Sequence, residues 1–238
     1  MNFRAITLVV LAALFAVPQA AKAQSCAHAL VLALDVSLSV DTQDFALQRE
    51  GLARALLDPD VTDAMLHMPG GHVELAVFEW SGQFDQNLLI GWTVIDSPST
   101  LQAVAQDLRD LPQMGRTGRT GIGAAMLYAY ELMKQRPNCA RHTLDVSGDG
   151  PNNSGPAPEL IKERMQMAGY VVNALVIENN FNDPEPSASP PLGPYYRNRV
   201  ITGPASFVEA IFGFDNYEAA IRRKLLRELF PAVAALPK

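Results

Sequence analysis

The sequence predicts an α/β fold: a doubly wound, mostly parallel six-stranded sheet with one antiparallel edge strand and helices on both faces. Three observations predict it. Residues 29–34 (ALVLAL) form an apolar run with no polar alternation, the pattern of a central parallel strand covered on both faces. Strand-like and helix-like segments alternate through most of the chain, which favours crossover connections and a parallel sheet. Polar groups gather where predicted strands end, as they do in open α/β sheets, whose sites form outside the carboxyl ends of the strands. The first such group is Asp35, Ser37 and Ser39.

After the first strand, Asp41 or Thr42 caps a helix with Asp44 in its first turn. An apolar stripe of Phe45, Leu47, Leu52, Ala55 and Leu56 carries that helix to Asp58-Pro59. Residues 58–71 read as a loop with a short helix. Residues 72–80 (HVELAVFEW) alternate as a strand. Residues 86–95 follow so closely that they pair with it antiparallel, forming one edge of the sheet. Asp96 or Ser97 caps the next helix, with Pro98 near its first position, running to about residue 110. A glycine- and hydroxyl-rich loop over 111–121 leads into a helix from Ile122 to about 135, ended by Pro137-Asn138. Residues 141–147 form a strand closed by a tight turn at 148–153, and residues 158–168 a helix stopped by Gly169. Residues 170–177 form a strand. Residues 178–195, with five prolines, read as a long irregular insertion. A short strand over 206–211 and a closing helix over 214–229, capped by Asp215, complete the order.

The first residues read differently from the rest. Arg4 precedes an apolar run over residues 5–17 and then Ala21-Lys22-Ala23, a charged start, an apolar segment and a small-residue cleavage site. That is a secretory signal over residues 1–23, leaving residues 24–238 as a single domain. The apolar run is short for a membrane span, which needs about 20 residues. Removing the signal leaves 19 − 2 = 17 basic against 25 acidic residues, a net charge of −8. Nucleic acid, which requires a basic face, is excluded as an expected partner. An exported chain with two cysteines, Cys26 and Cys139, is open to a disulfide or to two buried thiols, and composition does not choose between them.

Asp35, Ser37 and Ser39 offer only oxygen donors, which suits a hard divalent cation such as Mg2+. Two further loops carry the same chemistry: Thr120, in Gly118-Arg119-Thr120-Gly121-Ile122-Gly123-Ala124-Ala125 before a helix, and Asp149, in Ser147-Gly148-Asp149-Gly150 after a strand. Each has an ordinary reading alone, as a helix cap or a turn. Together, in this order, they resemble the von Willebrand factor type A (vWA) domain. Its metal-ion-dependent adhesion site is built from Asp-x-Ser-x-Ser, a Thr in Gly-x-Thr-x-x-Gly-x-Ala, and an Asp in a third loop. The resemblance spans residues 28–230. It is similar in particular to a bacterial exported branch of unknown function, whose third loop reads much like Ser147-Gly148-Asp149-Gly150-Pro151-Asn152-Asn153.

The resemblance implies Asp35, Ser37, Ser39, Thr120 and Asp149 as ligands of a divalent cation, Mg2+ ahead of Mn2+ or Ca2+. It implies a position left open for a carboxylate supplied by a protein partner. Arg116 and Arg119 flank Thr120 and read as solvated side chains or as contacts to an acidic partner; Asp145 reads as a strand residue. The implied function is an exported, non-enzymatic binding module of the periplasm or exterior, with no membrane span after cleavage. The alternatives are a metal-assisted hydrolase, or a degenerate vWA domain with a purely structural role. The hydrolase lacks a base: His28, His67, His72 and His142 sit at predicted strand starts or in a loop. No Gly-x-Ser-x-Gly or His-Glu-x-x-His occurs. In the family's sheet the strands ending at Asp35 and near Asp149 are parallel neighbours, so Cys26 and Cys139 are expected to meet at the opposite edge. Adjacent strands lie about 4.8 Å apart and a disulfide needs Cα atoms about 4.4–6.8 Å apart. The insertion at 178–195 would then lie on the metal's rim as a specificity surface.

Overall fold

A computed structural model describes residues 25–112, 118–178 and 191–230. The expected signal sequence, Arg116 and most of the 178–195 insertion lie outside the described residues. Six strands, β1 (Cys26–Asp35), β2 (His72–Trp80), β3 (Gln86–Ile95), β4 (Arg141–Gly148), β5 (Val171–Glu178) and β6 (Val208–Phe212), form one sheet in the order β3-β2-β1-β4-β5-β6. All neighbours are parallel except β2 and β3. The six-stranded sheet with one antiparallel edge is as the alternation predicts.

Among the described residues seven helices cover it: α1 (Thr42–Leu56), α2 (Pro59–Leu66), α3 (Pro98–Asp110), α4 (Ile122–Met133), α5 (Pro158–Met167), α6 (Leu192–Arg199) and α7 (Tyr217–Leu229). β1 explains why both faces need them. Leu30, Leu32 and Leu34 point into one core with Leu52, Met65, Leu101 and Ile221 from α1, α2, α3 and α7. Val31 and Ala33 point into the other with Met126, Ile161 and Leu192 from α4, α5 and α6. Helix starts follow local chemistry. Asp41 caps α1 and exchanges a capping box with Asp44. Asp58 and Ser97 cap α2 and α3, each with proline at the first position.

Three expectations are corrected. The irregular insertion over 178–195 ends in α6, which starts after Pro191 and holds Pro194 in its first turn, where a missing N–H costs no helical bond. The closing helix does not begin at residue 214 under Asp215. Phe214–Asn216 is a 3-10 turn, and α7 starts at Tyr217 behind Asn216 with no side-chain cap. The strand expected over 206–211 runs instead over Val208–Phe212.

Two further features bear on function. Cys26 and Cys139 form a disulfide with Cα atoms 4.5 Å apart. His28 pairs with Arg141, so the cysteines stand two residues below a matched pair on adjacent parallel strands. On β4, alternate residues Arg141, Thr143, Asp145 and Ser147 are polar, yet the last three are buried. Thr143 shares a 2.8 Å hydrogen bond with buried His28, and Ser147 a 3.0 Å bond with Tyr217 of α7. Asp145 meets Lys224 of α7 at 2.6 Å, and Lys224 also meets Glu228 at 2.7 Å. Asn173 of β5 donates to Glu228 at 2.8 Å.

Candidate metal centre

From β1 the chain runs to β2 on one side, while β4 packs on the other side of β1. The switch point of the sheet therefore lies between β1 and β4, where open α/β sheets bind their ligands. Asp35 is the last residue of β1, and Asp149 follows the last residue of β4.

The groups after β1 form a hydrogen-bonded chain. The Ser37 N–H donates to Asp35 Oδ1 at 2.8 Å. The Ser37 and Ser39 hydroxyls are 3.1 Å apart, and Ser39 Oγ donates to Asp149 Oδ1 at 2.6 Å. Asp35, Ser37 and Asp149 are buried. Asp35 Oδ2 is buried without a hydrogen-bond partner. Burial, and then the charge of Asp149, push the Asp35 carboxyl up to about 8 against the hydrogen bonds from Ser37. Burial also raises Asp149, with Asp44 adding repulsion. Among the described residues no cationic side chain bonds to either buried acid, and one Asp35 oxygen is left without a partner, so the pair lacks compensating positive charge. A divalent cation fits that deficit, and a donor set made only of oxygens fits a hard one.

Thr120 reaches the same place from the other core. Its side chain does not cap α4; Gly121 occupies the cap position without a side-chain bond. Instead Thr120 is tied to the loop after β4. Its N–H donates to Asn153 Oδ1 at 2.8 Å, and its carbonyl accepts from the Asn153 and Ser154 N–H groups. The Gly123 N–H donates to Asn152 Oδ1. Thr120 Oγ1 lies 3.6 Å from the point where a Cβ on Gly150 would sit, beside Asp149. The structure thus gathers Asp35, Ser37, Ser39 and Asp149 in one bonded chain and sets Thr120 against the Asp149 loop. Arg119 is exposed, and its carbonyl accepts from the Ser81 hydroxyl.

Sequence reasoning missed Tyr196. This α6 residue is fully buried, and its hydroxyl donates to the Gly150 carbonyl at 3.1 Å. Burial, with Asp35 and Asp149 nearby, raises its phenol well above the ordinary value, so it stays protonated. A Cβ at Gly148 would stand 2.3 Å from the Tyr196 hydroxyl and 3.3 Å from Asp35 Oδ2, which explains the glycine before Asp149. Asn152 and Asn153 read in the sequence as turn residues, yet they join two loops. Asn153→Ala leaves the buried Thr120 N–H without its acceptor and is expected to lower stability by about 1–2 kcal/mol, read as a shift of the urea midpoint at unchanged slope.

The histidines stand elsewhere. His28 is buried near the start of β1, His72 and His142 lie near the starts of β2 and β4, and His67 follows α2. No helix of the described residues is long and apolar enough to cross a membrane.

The sheet order, the switch-point acids and the flanking helices define a vWA fold. The chain belongs to the family described as "Protein of unknown function (DUF1194)", whose model matches residues 25–233. No curated protein matches. Among solved structures, proximal thread matrix protein 1 from the mussel byssus is 16% identical, with TM-score 0.62 over 87% of this chain and 47% of that one. The pilus adhesin SpaC from Lactobacillus rhamnosus GG is 12% identical, with TM-score 0.60 over 86% and 31%. The vWF domain of the type V pili tip protein Mfa5 from Porphyromonas gingivalis is 11% identical, with TM-score 0.58 over 90% and 98%. The chain spans about half the length of the mussel protein, under a third of the adhesin and nearly all of the Mfa5 domain. At these identities the likeness is one of fold.

Proposed function

We propose that the chain is an exported, metal-dependent protein-binding module. It holds a divalent cation, Mg2+ in preference to Mn2+ or Ca2+, with Asp35, Ser37, Ser39, Thr120 and Asp149. When bound, the cation supplies an open coordination position for a carboxylate of a partner protein. The observation that carries this reading is the buried, unpartnered Asp35 oxygen beside a Ser37–Ser39–Asp149 chain. Few charged ligands and several neutral hydroxyls leave such a cation electrophilic, which favours capture of an outside acid. Two of the similar structures are a pilus adhesin and a pilus tip domain, and a further structure of the mussel protein is described with a zinc-occupied MIDAS motif. They support an adhesion or assembly role in the periplasm or outside the cell. The binding reading is preferred over a hydrolase because none of the four histidines lies at the C-terminal rim.

Calorimetric titration of Mg2+ and Mn2+ tests the metal. Asp35→Ala, and Ser37→Ala with Ser39→Ala, are expected to abolish divalent binding while circular dichroism stays that of the parent. Binding as tight as the parent in both variants overturns the assignment. A pull-down from envelope extract, with and without chelator, tests the partner: recovery has to disappear with the metal.

A further inference from the structure

A second group of metal-ligating side chains stands at the opposite end of the sheet, around the disulfide. Ligand atoms of Cys26, His72 and Glu74 lie within 4.8 Å of one another, and the Cys139 sulfur is bonded to that of Cys26. The strand geometry explains the convergence. Cys26 is level with His72 across the parallel β1/β2 pair and is bridged to Cys139 on its β4 side. His72 and Glu74 are two apart on β2 and share a face. A register shift between Cys26 and His28 turns Cys26 toward the same side as Ala29, where both cysteines and Trp92 pack together; re-aiming a side chain is what a bulge does. His72 and Glu74 are only 16% and 15% exposed and meet at 3.2 Å. Glu74 is also held by Arg136 at 2.5 Å, whose guanidinium lies 5.1 Å above the Trp92 ring.

We propose that this cluster is a redox-gated zinc site: reduced Cys26 and Cys139, with His72 and Glu74, bind one Zn2+. In the oxidised protein the sulfurs are spent on each other and the site does not exist. A dithiol reductant supplies two electrons and two protons. The S–S bond breaks to two thiols, and the reductant closes to its own disulfide. Zinc then takes both sulfurs as thiolates and releases two protons to solvent. Two thiolates, an imidazole and a carboxylate are a zinc donor set and fill a tetrahedron. They differ from the oxygen donors at the other rim, so the two ends of the sheet select different cations. Two thiolates and Glu74 carry −3 against +2 on the metal, and Arg136 supplies the remaining positive charge.

The test uses the whole chain, reduced anaerobically with a phosphine that is then removed, and titrated with Co2+ and Zn2+. The expected result is one tightly bound Co2+ with an intense sulfur-to-cobalt charge-transfer band. An all-oxygen site cannot produce that band. It should be displaced by Zn2+ and be absent from the oxidised protein. His72→Ala and Glu74→Gln are each expected to weaken Zn2+ at least tenfold, and Cys139→Ser to remove the band. Asp149→Ala is expected to leave it unchanged, which separates this site from the rim. Thermal melts in the Asp149→Ala background, which takes away the rim site, cover the case in which reduction loosens the fold: Zn2+ should raise the midpoint of the reduced chain and leave the oxidised one unmoved. No charge-transfer band at saturating Co2+, a band indifferent to both His72→Ala and Glu74→Gln, or a reduced chain that stays unfolded with Zn2+ overturns the proposal.

Discussion

Lys224→Met is expected to destabilise the fold by about 3–5 kcal/mol at about pH 8, the effect of stripping one partner from a buried ion cluster. Lys224 is fully buried and is the cation between two buried acids, Asp145 at 2.6 Å and Glu228 at 2.7 Å. Asn173 of β5 donates to the same Glu228 oxygen that meets Lys224. Lys224 and Arg227 both lie over the Phe207 ring, and Arg141 acts on Glu228 from the lower end of β4. Methionine keeps the volume and removes the charge, so both buried acids lose the cation that compensates them. In the parent, burial and the charge of Glu228 already push Asp145 up to about 7 against the pull of Lys224. Between about pH 4 and 7 the folded state therefore holds a proton that the unfolded chain has released, and stability falls as pH rises across that window. Glu228→Gln removes the repelling charge and should flatten the slope. Lys224→Met should steepen it, so its deficit at about pH 8 exceeds that at about pH 5. Urea unfolding at both pH values reads all three; an equal loss for Lys224→Met at both would show that charge is not the cause.

Gly123→Ala should damage stability and site together. Alanine in a helix interior normally gains about 1 kcal/mol over glycine. Here a Cβ would stand 2.1 Å from the Pro156 carbonyl oxygen, which is backbone and cannot swing aside. The first turn of α4 would have to lift off the loop that follows β4. Overpacking of this kind costs about 1–3 kcal/mol, enough to reverse the sign of the propensity gain. Lifting also breaks the bonds that the Gly123 and Thr120 N–H groups donate to Asn152 and Asn153, which hold this loop beside Asp149. The expected outcome is a lower melting temperature and roughly tenfold weaker Mg2+ binding, about 1.4 kcal/mol. An unchanged Mg2+ isotherm would separate the helix contact from the site.

The fold was legible because β1 carries no polar residue between Ala29 and Leu34 and because turn residues punctuate nearly every element. The acids and hydroxyls at the rim were legible because each sits where a strand ends or a helix begins. What joins them was not. Tyr196 lay one residue past a stretch whose prolines argued against a helix, and only packing showed that Pro194 falls in a tolerant first turn. Asn152 and Asn153 carry the composition of any turn, and their bonds to another loop have no local signature. Lys224 and Glu228 are spaced like an exposed helical ion pair, four residues apart. A signal was present on the other side of the contact: Thr143, Asp145 and Ser147 alternate with apolar residues on a strand buried on both faces, so a polar partner had to cover them. The Cys26–Cys139 bridge followed once β1 and β4 were taken as neighbours: Cys26 precedes Asp35 by 35 − 26 = 9 residues and Cys139 precedes Asp149 by 149 − 139 = 10, and the extra residue is Asp149's one step beyond the end of β4.

The disulfide and the rim acids occupy the two ends of one strand, since Cys26 begins β1 and Asp35 ends it. A pull on a partner held at the rim, resisted at Cys26, is therefore tension along the axis of β1. Its bonds to the parallel strands on either side meet that tension in shear and must yield together, not peel one by one. The bridge passes part of the load to the foot of β4, whose upper end leads to Asp149. The two strands that present the rim acids thus act as twin struts sharing a common footing, and a load along their axis is met by two hydrogen-bonded ladders in shear and one covalent tie.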